Sequence, residues 1–253
     1  MPQHLAVRIS RLKEFVRFKF SWLADFLVRA IDPLGRISYS QEGEDLILHR
    51  IFKGKKTGFY VDVGAHHPKR FSNTHIFYKS GWRGINIEPN PAALMSFTRE
   101  RKGDINLQFG VASERGDLLY YEFDDPALNT FDKKLAEERE STTSYRLIAT
   151  QRIRIDRLDA LLEAHVPQGV TIDFLTVDVE GMDLDVLKSN NWNKFRPRCV
   201  LTEILDTPLT IESLSGSPTI VYMQQQGYRL LAKTYNSFFF LDDRVDQIGR
   251  TDI

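Results

Sequence analysis

The sequence predicts an α/β domain, a mostly parallel sheet with helices on both faces and an antiparallel hairpin at its carboxyl end. Three observations predict it. Short β-branched runs alternate with segments of helical period, the pattern that builds parallel sheets. Two of those runs deliver an acid at or near their end: Phe59-Tyr60-Val61-Asp62-Val63-Gly64-Ala65 and, 26 residues after Asp62, Ile85-Asn86-Ile87-Glu88. The last two runs, Tyr228–Thr234 and Ser237–Leu241, are joined only by Tyr235-Asn236, a hairpin connection.

Taken in order, residues 1–34 form an N-terminal segment and residues 35–253 the main domain, the boundary falling at Asp32-Pro33-Leu34-Gly35. Between Leu5 and Ile31 six cations face two acids, interleaved with Phe15, Phe18, Phe20, Trp22 and Phe26 at near-helical spacing. Lys19, Asp25 and Arg29 interrupt the apolar run, so it is neither a membrane span nor a signal peptide. Two readings stand for residues 5–31: a helix packed on its own domain or on a second subunit, and a basic amphipathic helix lying on an anionic membrane surface.

Acids in its first turn suit a helix from about Ser40 to Phe52. Gly58–Val63 is the first strand, Thr74–Lys79 a helix, and Ile85–Glu88 the second strand. Pro89-Asn90-Pro91 stops that strand and opens a helix over Ala92–Glu100, where a missing N–H costs nothing. Ile105–Ala112 reads as one continuous third strand. Leu118–Phe123 and Gln151–Ile155 form a strand pair around Asp124–Thr150, a polar insertion with no continuous core face, either disordered or functional. Arg157–Ala164 is helical, Ile172–Val177 a buried strand, Leu184–Ser189 a helix, Cys199–Ile204 a strand and Thr219–Gln226 a helix.

Apolar residues make up 42% of the 253, enough for a sizeable core. Lys plus Arg equal Asp plus Glu at 34 each, so no global basic field draws nucleic acid. Cys199 stands alone in an apolar run, which makes it a structural thiol and suits a reducing, cytoplasmic compartment.

The chemistry lies at strand ends, where open parallel sheets bind ligands. Any one acid there serves equally well as a helix cap; three in order, Asp62, Glu88 and Asp178 with Glu180, point to a nucleoside site. In an extended strand Asp178 and Glu180 would face the same side. A dinucleotide needs its pyrophosphate cradled by a glycine-rich turn. Here the turn is Gly64-Ala65-His66-His67-Pro68, with one glycine and a proline that donates nothing. S-adenosylmethionine carries no phosphate, and needs a close backbone approach, a diol acceptor and a partner for its ammonium. Asp62, Gly64 and Glu88 supply these.

The motifs Tyr39-Ser40-Gln41-Glu42-Gly43-Glu44-Asp45, Val61-Asp62-Val63-Gly64-Ala65, Ser72-Asn73-Thr74, Gly81-Trp82-Arg83-Gly84, Asp178-Val179-Glu180-Gly181 and Glu203 resemble the FkbM family of S-adenosylmethionine-dependent methyltransferases, over roughly Ser38 to Leu205. The resemblance implies the class I methyltransferase (Rossmann-like) fold, seven strands with the last pair closing antiparallel. It also implies O-methylation of a sugar, a glycan or glycolipid precursor, or a secondary metabolite, and with it a place in polysaccharide biosynthesis. His66-His67-Pro68 departs from the commoner, glycine-richer turn. Cofactor-binding candidates are Gln41, Asp62, Gly64, Ala65, His66 and Glu88, with Val111 and Ala112 at the end of the third strand. Catalytic candidates are Asp178, Glu180 and His67, since a sugar hydroxyl needs a base. His66, His67 and His75, three of six histidines, fall within ten residues beside the turn. No ligand spacing demands a metal; a divalent cation on Asp178 and Glu203 is the fallback. The insertion offers a lid over the acceptor.

Competing functions are weighed by the same residues. Methylation of base amino groups usually goes with Pro-Pro-aromatic after the fourth strand, where Val179-Glu180-Gly181 stands. A non-catalytic scaffold of the same fold and an NAD-dependent oxidoreductase are the alternatives. The expected location is cytoplasmic, with residues 5–31 offering a peripheral contact at the inner membrane surface.

Overall fold

The computed structural model describes Asp32, residues 34–205, Leu214 and residues 216–245. Residues 1–38 and 39–253 form two compact units. The amphipathic segment predicted over residues 5–31 lies outside the described residues. In the first unit the Leu34 and Gly35 amides donate to Asp32 Oδ1 at 3.0 and 3.1 Å, a local turn. Among the described residues, no helix is long and apolar enough to cross a membrane.

The second unit is built on a seven-stranded sheet. Its elements are α1 (Glu44–Ile51), β1 (Phe59–Val63), α2 (His75–Lys79), β2 (Arg83–Ile87), α3 (Pro91–Glu100) and β3 (Ile105–Leu107). There follow β4 (Gly110–Val111), β5 (Gly116–Phe123), α4 (Lys133–Thr142), β6 (Leu147–Asp156), α5 (Leu158–His165) and β7 (Phe174–Val177). The chain closes with α6 (Asp183–Lys188), β8 (Cys199–Glu203), α7 (Pro218–Gln225), β9 (Tyr228–Lys233) and β10 (Ser237–Asp242). Strand order is β3-β2-β1-β7-β8-β10-β9, and β10 alone runs opposite to the other six strands. This is the Rossmann-like arrangement predicted. Successive side chains of a strand point to opposite faces. Val61, Val63, Ile85, Leu175 and Val200 therefore pack under one face, while Tyr60, Phe174, Cys199 and Leu201 pack with Trp82 and Phe77 under the other. Burial pushes the Cys199 thiol up to about 12, which makes it structural.

Two elements differ from the sequence reading. Ile105–Ala112 is not one strand. β3 pairs with β2 and ends at Leu107; β4 pairs with β6 in a second, three-stranded sheet ordered β4-β6-β5. Gly110 allows the change of partner, because a Cβ there would press on the rings of Phe131 and the side chain of Ile155. The polar insertion is ordered. Pro126–Leu128 makes a 3₁₀ turn, and α4 follows, capped by Asp132, whose Oδ1 accepts from the Lys134 and Leu135 amides at 2.8 and 3.1 Å. Only Ala136 of α4 is buried, which is why the sequence shows no core face there. As predicted, the chain closes with an antiparallel hairpin at the sheet's edge: β10 pairs with β8, β9 lies outermost, and Phe238, Phe239 and Phe240 are buried.

Gly84 sits opposite Tyr60 in the β1–β2 register, and a Cβ at Gly84 would overlap the Tyr60 ring and carbonyl. Tyr60 has no room to yield: its hydroxyl donates to Asp104 at 2.6 Å and accepts from Arg101 at 2.7 Å. Gly84→Ala is expected to lower stability by about 1–3 kcal/mol, measured by urea unfolding.

Candidate active site

The chain runs from β1 outward through β2 to β3, then returns to place β7 on the other side of β1. At that switch point the Gly64 amide donates to Ile87 O at 3.0 Å and the Asp178 amide to Val63 O at 3.0 Å. Gly64 has φ 79°, and a Cβ there would overlap the Asp178 carbonyl, so no other residue fits. A cleft opens over this point. It is lined by Gln41, Asp62, Gly64, Ala65, His66, Glu88, Val111, Asp178 and Glu180.

The acids at the floor are desolvated. Asp62 is buried and accepts the Thr74 hydroxyl at 2.8 Å, and burial pushes it up to about 6. Glu88 follows β2, accepts from the His66 amide at 2.7 Å and the Asn90 amide at 2.8 Å, and is pushed by burial up to about 7. Val111 reaches the cleft; Ala112 does not, because it is buried with its amide tied to Asp156 O at 3.1 Å.

The third catalytic candidate is His67. It does not line the cleft, and its Nδ1 accepts from the Lys69 and Arg70 amides at 3.0 and 2.9 Å. The same bonds settle what the turn can hold. The Gly64 and Ala65 amides go to Ile87 O, the His66 amide to Glu88, and the His67 amide to Ala65 O. Pro68 has none. With the amides from Gly64 to Arg70 spent inside the protein, the turn has no cradle for a pyrophosphate. His66, by contrast, lines the cleft in the left-handed region at φ 52°, its ring near-parallel to Phe71 at 6.3 Å. Burial lowers it to about 4, and its Nε2 is buried without a hydrogen-bond partner. His75 packs edge-on against Tyr39, outside the cleft lining.

Asp178 and Glu180 converge, though not on an extended strand. β7 ends at Val177, and Glu180 has φ 54°. Asp183 closes this turn, accepting from the Val179 and Gly181 amides at 3.2 and 3.3 Å. Among the described residues only His66, Phe71 and Glu180 are non-glycine residues with positive φ, and all three line the cleft. Strain concentrated in this way marks a functional site. Carboxylate oxygens of Asp178, Glu180 and Glu203 lie within 4.8 Å of one another. Burial, with Glu180 and Asp183 next in weight, pushes Glu203 up to about 9. Asp178 meets water in the cleft, yet desolvation followed by the charges of Glu203 and Glu180 raises it well above the carboxylate range. Glu180 is raised by burial and restrained by its ion pair with Arg139.

Arg139 was not legible as a site residue. It comes from α4, donates to Leu128 O at 2.7 Å and reaches Glu180, while Thr130 Oγ1 donates to Glu180 O at 2.7 Å. The insertion thus grips the turn after β7, and its Phe131 ring walls the cleft together with the Tyr120 ring of β5, 4.7 Å away. Asn73, also in the lining, donates to Thr176 Oγ1 at 3.1 Å and leaves its Oδ1 without a hydrogen-bond partner.

The profile of the methyltransferase FkbM domain matches residues 62–230. The chain belongs to the FkbM family of methyltransferases. As an FkbM methyltransferase it takes its methyl group from S-adenosylmethionine, and a turn whose amides are spent inside the protein fits a phosphate-free nucleoside. Among solved structures, an O-methyltransferase from Bacillus cereus in complex with SAH is similar at 13% identity and a TM-score of 0.32, over 85% of this chain and 86% of that one. No curated protein matches.

Glu203 carries a testable sign. Its usual value is about 4, and it is pushed to about 9 in the fold. Between those values the folded state binds more protons than the unfolded one, so this group's contribution to stability falls as pH rises. Glu203→Gln is expected to be the more stable protein, with the gap in unfolding free energy widening from pH 5 to pH 9.

Proposed function

We propose that this methyltransferase acts on a hydroxyl of a sugar, or of a glycan or glycolipid precursor. The observation that carries the reading is the cluster of Asp178, Glu180 and Glu203 beside Gly64, three acids with raised proton affinity at the switch point of the sheet. When bound, S-adenosylmethionine supplies a methyl group on a sulfonium, and in-line transfer then depends mostly on positioning. Glu88 accepts the ribose hydroxyls, and Asp62 presents a carboxylate to the ammonium end. Acids this close do not all ionise together, so the cluster holds protons at neutral pH. Arg139 favours the ionised form of Glu180. A carboxylate in that company is a stronger base than one in water, able to take the proton of an acceptor hydroxyl.

The same acids accept hydrogen bonds from several hydroxyls at once and repel carboxylates and phosphates, which supports a polyol acceptor. Arg139 and bound protons can meet the charge of the cluster, so the proposed reaction does not require a divalent cation. Turnover unchanged after exhaustive chelation is expected; a rate restored only by added Mg²⁺ would put the cation on Asp178 and Glu203 instead.

Two variants test the two ends of the cleft. Glu88→Ala is expected to weaken S-adenosylhomocysteine binding at least tenfold by calorimetry, about 1.4 kcal/mol; unchanged affinity sinks the donor assignment. Asp178→Asn is expected to bind S-adenosylhomocysteine normally and to lower kcat about 100-fold or more, read by labelled methyl transfer to a sugar panel. A wild-type protein that binds the ligand yet transfers no label to any acceptor would favour the scaffold alternative.

A further inference from the structure

Arg101 follows α3 and is fully buried, where a guanidinium is tolerated only with its charge and donors met. Nε donates to Asp104 Oδ2 at 2.9 Å, which balances the charge. Asp104 is itself held by the Gly84 amide at 3.0 Å, Asn86 at 3.1 Å and the Tyr60 hydroxyl at 2.6 Å. The other two nitrogens point to the cofactor end of the molecule. One donates to Pro68 O at 2.9 Å, the last residue of the Gly64–Pro68 turn. The other donates to Tyr60 Oη at 2.7 Å and to Thr74 Oγ1 at 2.9 Å.

The second contact has a direction. A guanidinium only donates, so the Thr74 oxygen must accept from it. The single hydroxyl proton is then left for Asp62 Oδ2, 2.8 Å away, and Ser72 Oγ, 3.3 Å from the Thr74 oxygen, is left to donate. Asp62 is thus fixed in position and supplied with a hydrogen bond to its ionised form, against a burial that favours the neutral one.

We propose that Arg101 and Thr74 are positioning residues of the donor site: Arg101 aims the Thr74 hydroxyl at Asp62 and clamps the turn through Pro68, so that Asp62 meets a primary ammonium as a fixed carboxylate. The proposal rests on the reading of the cleft as an S-adenosylmethionine site. Neither residue touches the ligand; both act through Asp62.

Calorimetry with two ligands tests it. S-adenosylhomocysteine carries the ammonium, and 5′-methylthioadenosine has the same nucleoside without the amino-acid end. Thr74→Val, which keeps shape and removes the hydroxyl, is expected to weaken S-adenosylhomocysteine about tenfold and to leave methylthioadenosine within about twofold. Thr74→Ser should restore the loss, and Arg101→Lys should reproduce the selective loss. Equal weakening of both ligands, or no weakening, by Thr74→Val in a protein that melts like the wild type overturns the proposal. If Thr74→Val does not fold, Arg101→Lys decides it by the same selectivity. Wild-type protein that binds neither ligand overturns the donor-site reading itself, and the network's role with it.

Discussion

The ends of β1 and β7 meet where Gly64 lies against the carbonyl of Asp178, with no space for a side chain between them. The Asp178 amide bonds Val63 O and the Gly64 amide bonds Ile87 O, so three strand ends are tied together within a few residues. Because the chain has run outward from β1 and come back to its other side, the turns after β1 and β7 diverge and leave a crevice. Asp62, Glu88 and Asp178 enter that crevice from three strands. Any side chain at position 64 would push β7 away and open the floor on which the rest is arranged.

Charge is the second constraint. The cleft gathers more acid than its solvent access can stabilise, and burial raises Asp62, Glu88, Asp183 and Glu203. Two cations restrain this from opposite sides. Arg101 lies in the interior and acts on Asp62 through a hydroxyl, while Arg139 arrives from the insertion and pairs with Glu180. On the proposed reading, the donor end has its charge managed from the core and the acceptor end from an appended element. An insertion can vary without disturbing the core, which is a physical reason for acceptor specificity to reside there.

His66-His67-Pro68 gains its meaning from the same economy of hydrogen bonds. His67 Nδ1 takes two amides of the turn, Pro68 contributes none, and Glu88 takes the amide of His66. What would be an anion nest in a dinucleotide-binding protein is closed on itself. His66 adopts the left-handed conformation that a glycine would hold more easily and brings a neutral imidazole to the cleft wall.

By itself, the sequence determined the order of strands and helices, the parallel sheet with its closing hairpin, and the placing of Asp62 and Glu88 at strand ends beside the cleft. Each of these is a local signal: a β-branched run, a proline at a helix start, an acid beside a turn. It also carried the family motifs, since they are contiguous. Tertiary structure alone decided that Ile105–Ala112 splits between two sheets, that β10 lies inside the sheet, and that Glu180 turns back on a left-handed residue to meet Asp178 and Glu203. It also placed His67 outside the cleft lining and tied Arg101 to Thr74 and Arg139 to Glu180. Their partners lie 27 and 41 residues away along the chain, Thr74 from Arg101 and Glu180 from Arg139. Periodicity and spacing report what a residue does for its own segment; a buried guanidinium is placed by the distant groups that satisfy its donors, and only the folded chain brings those groups together.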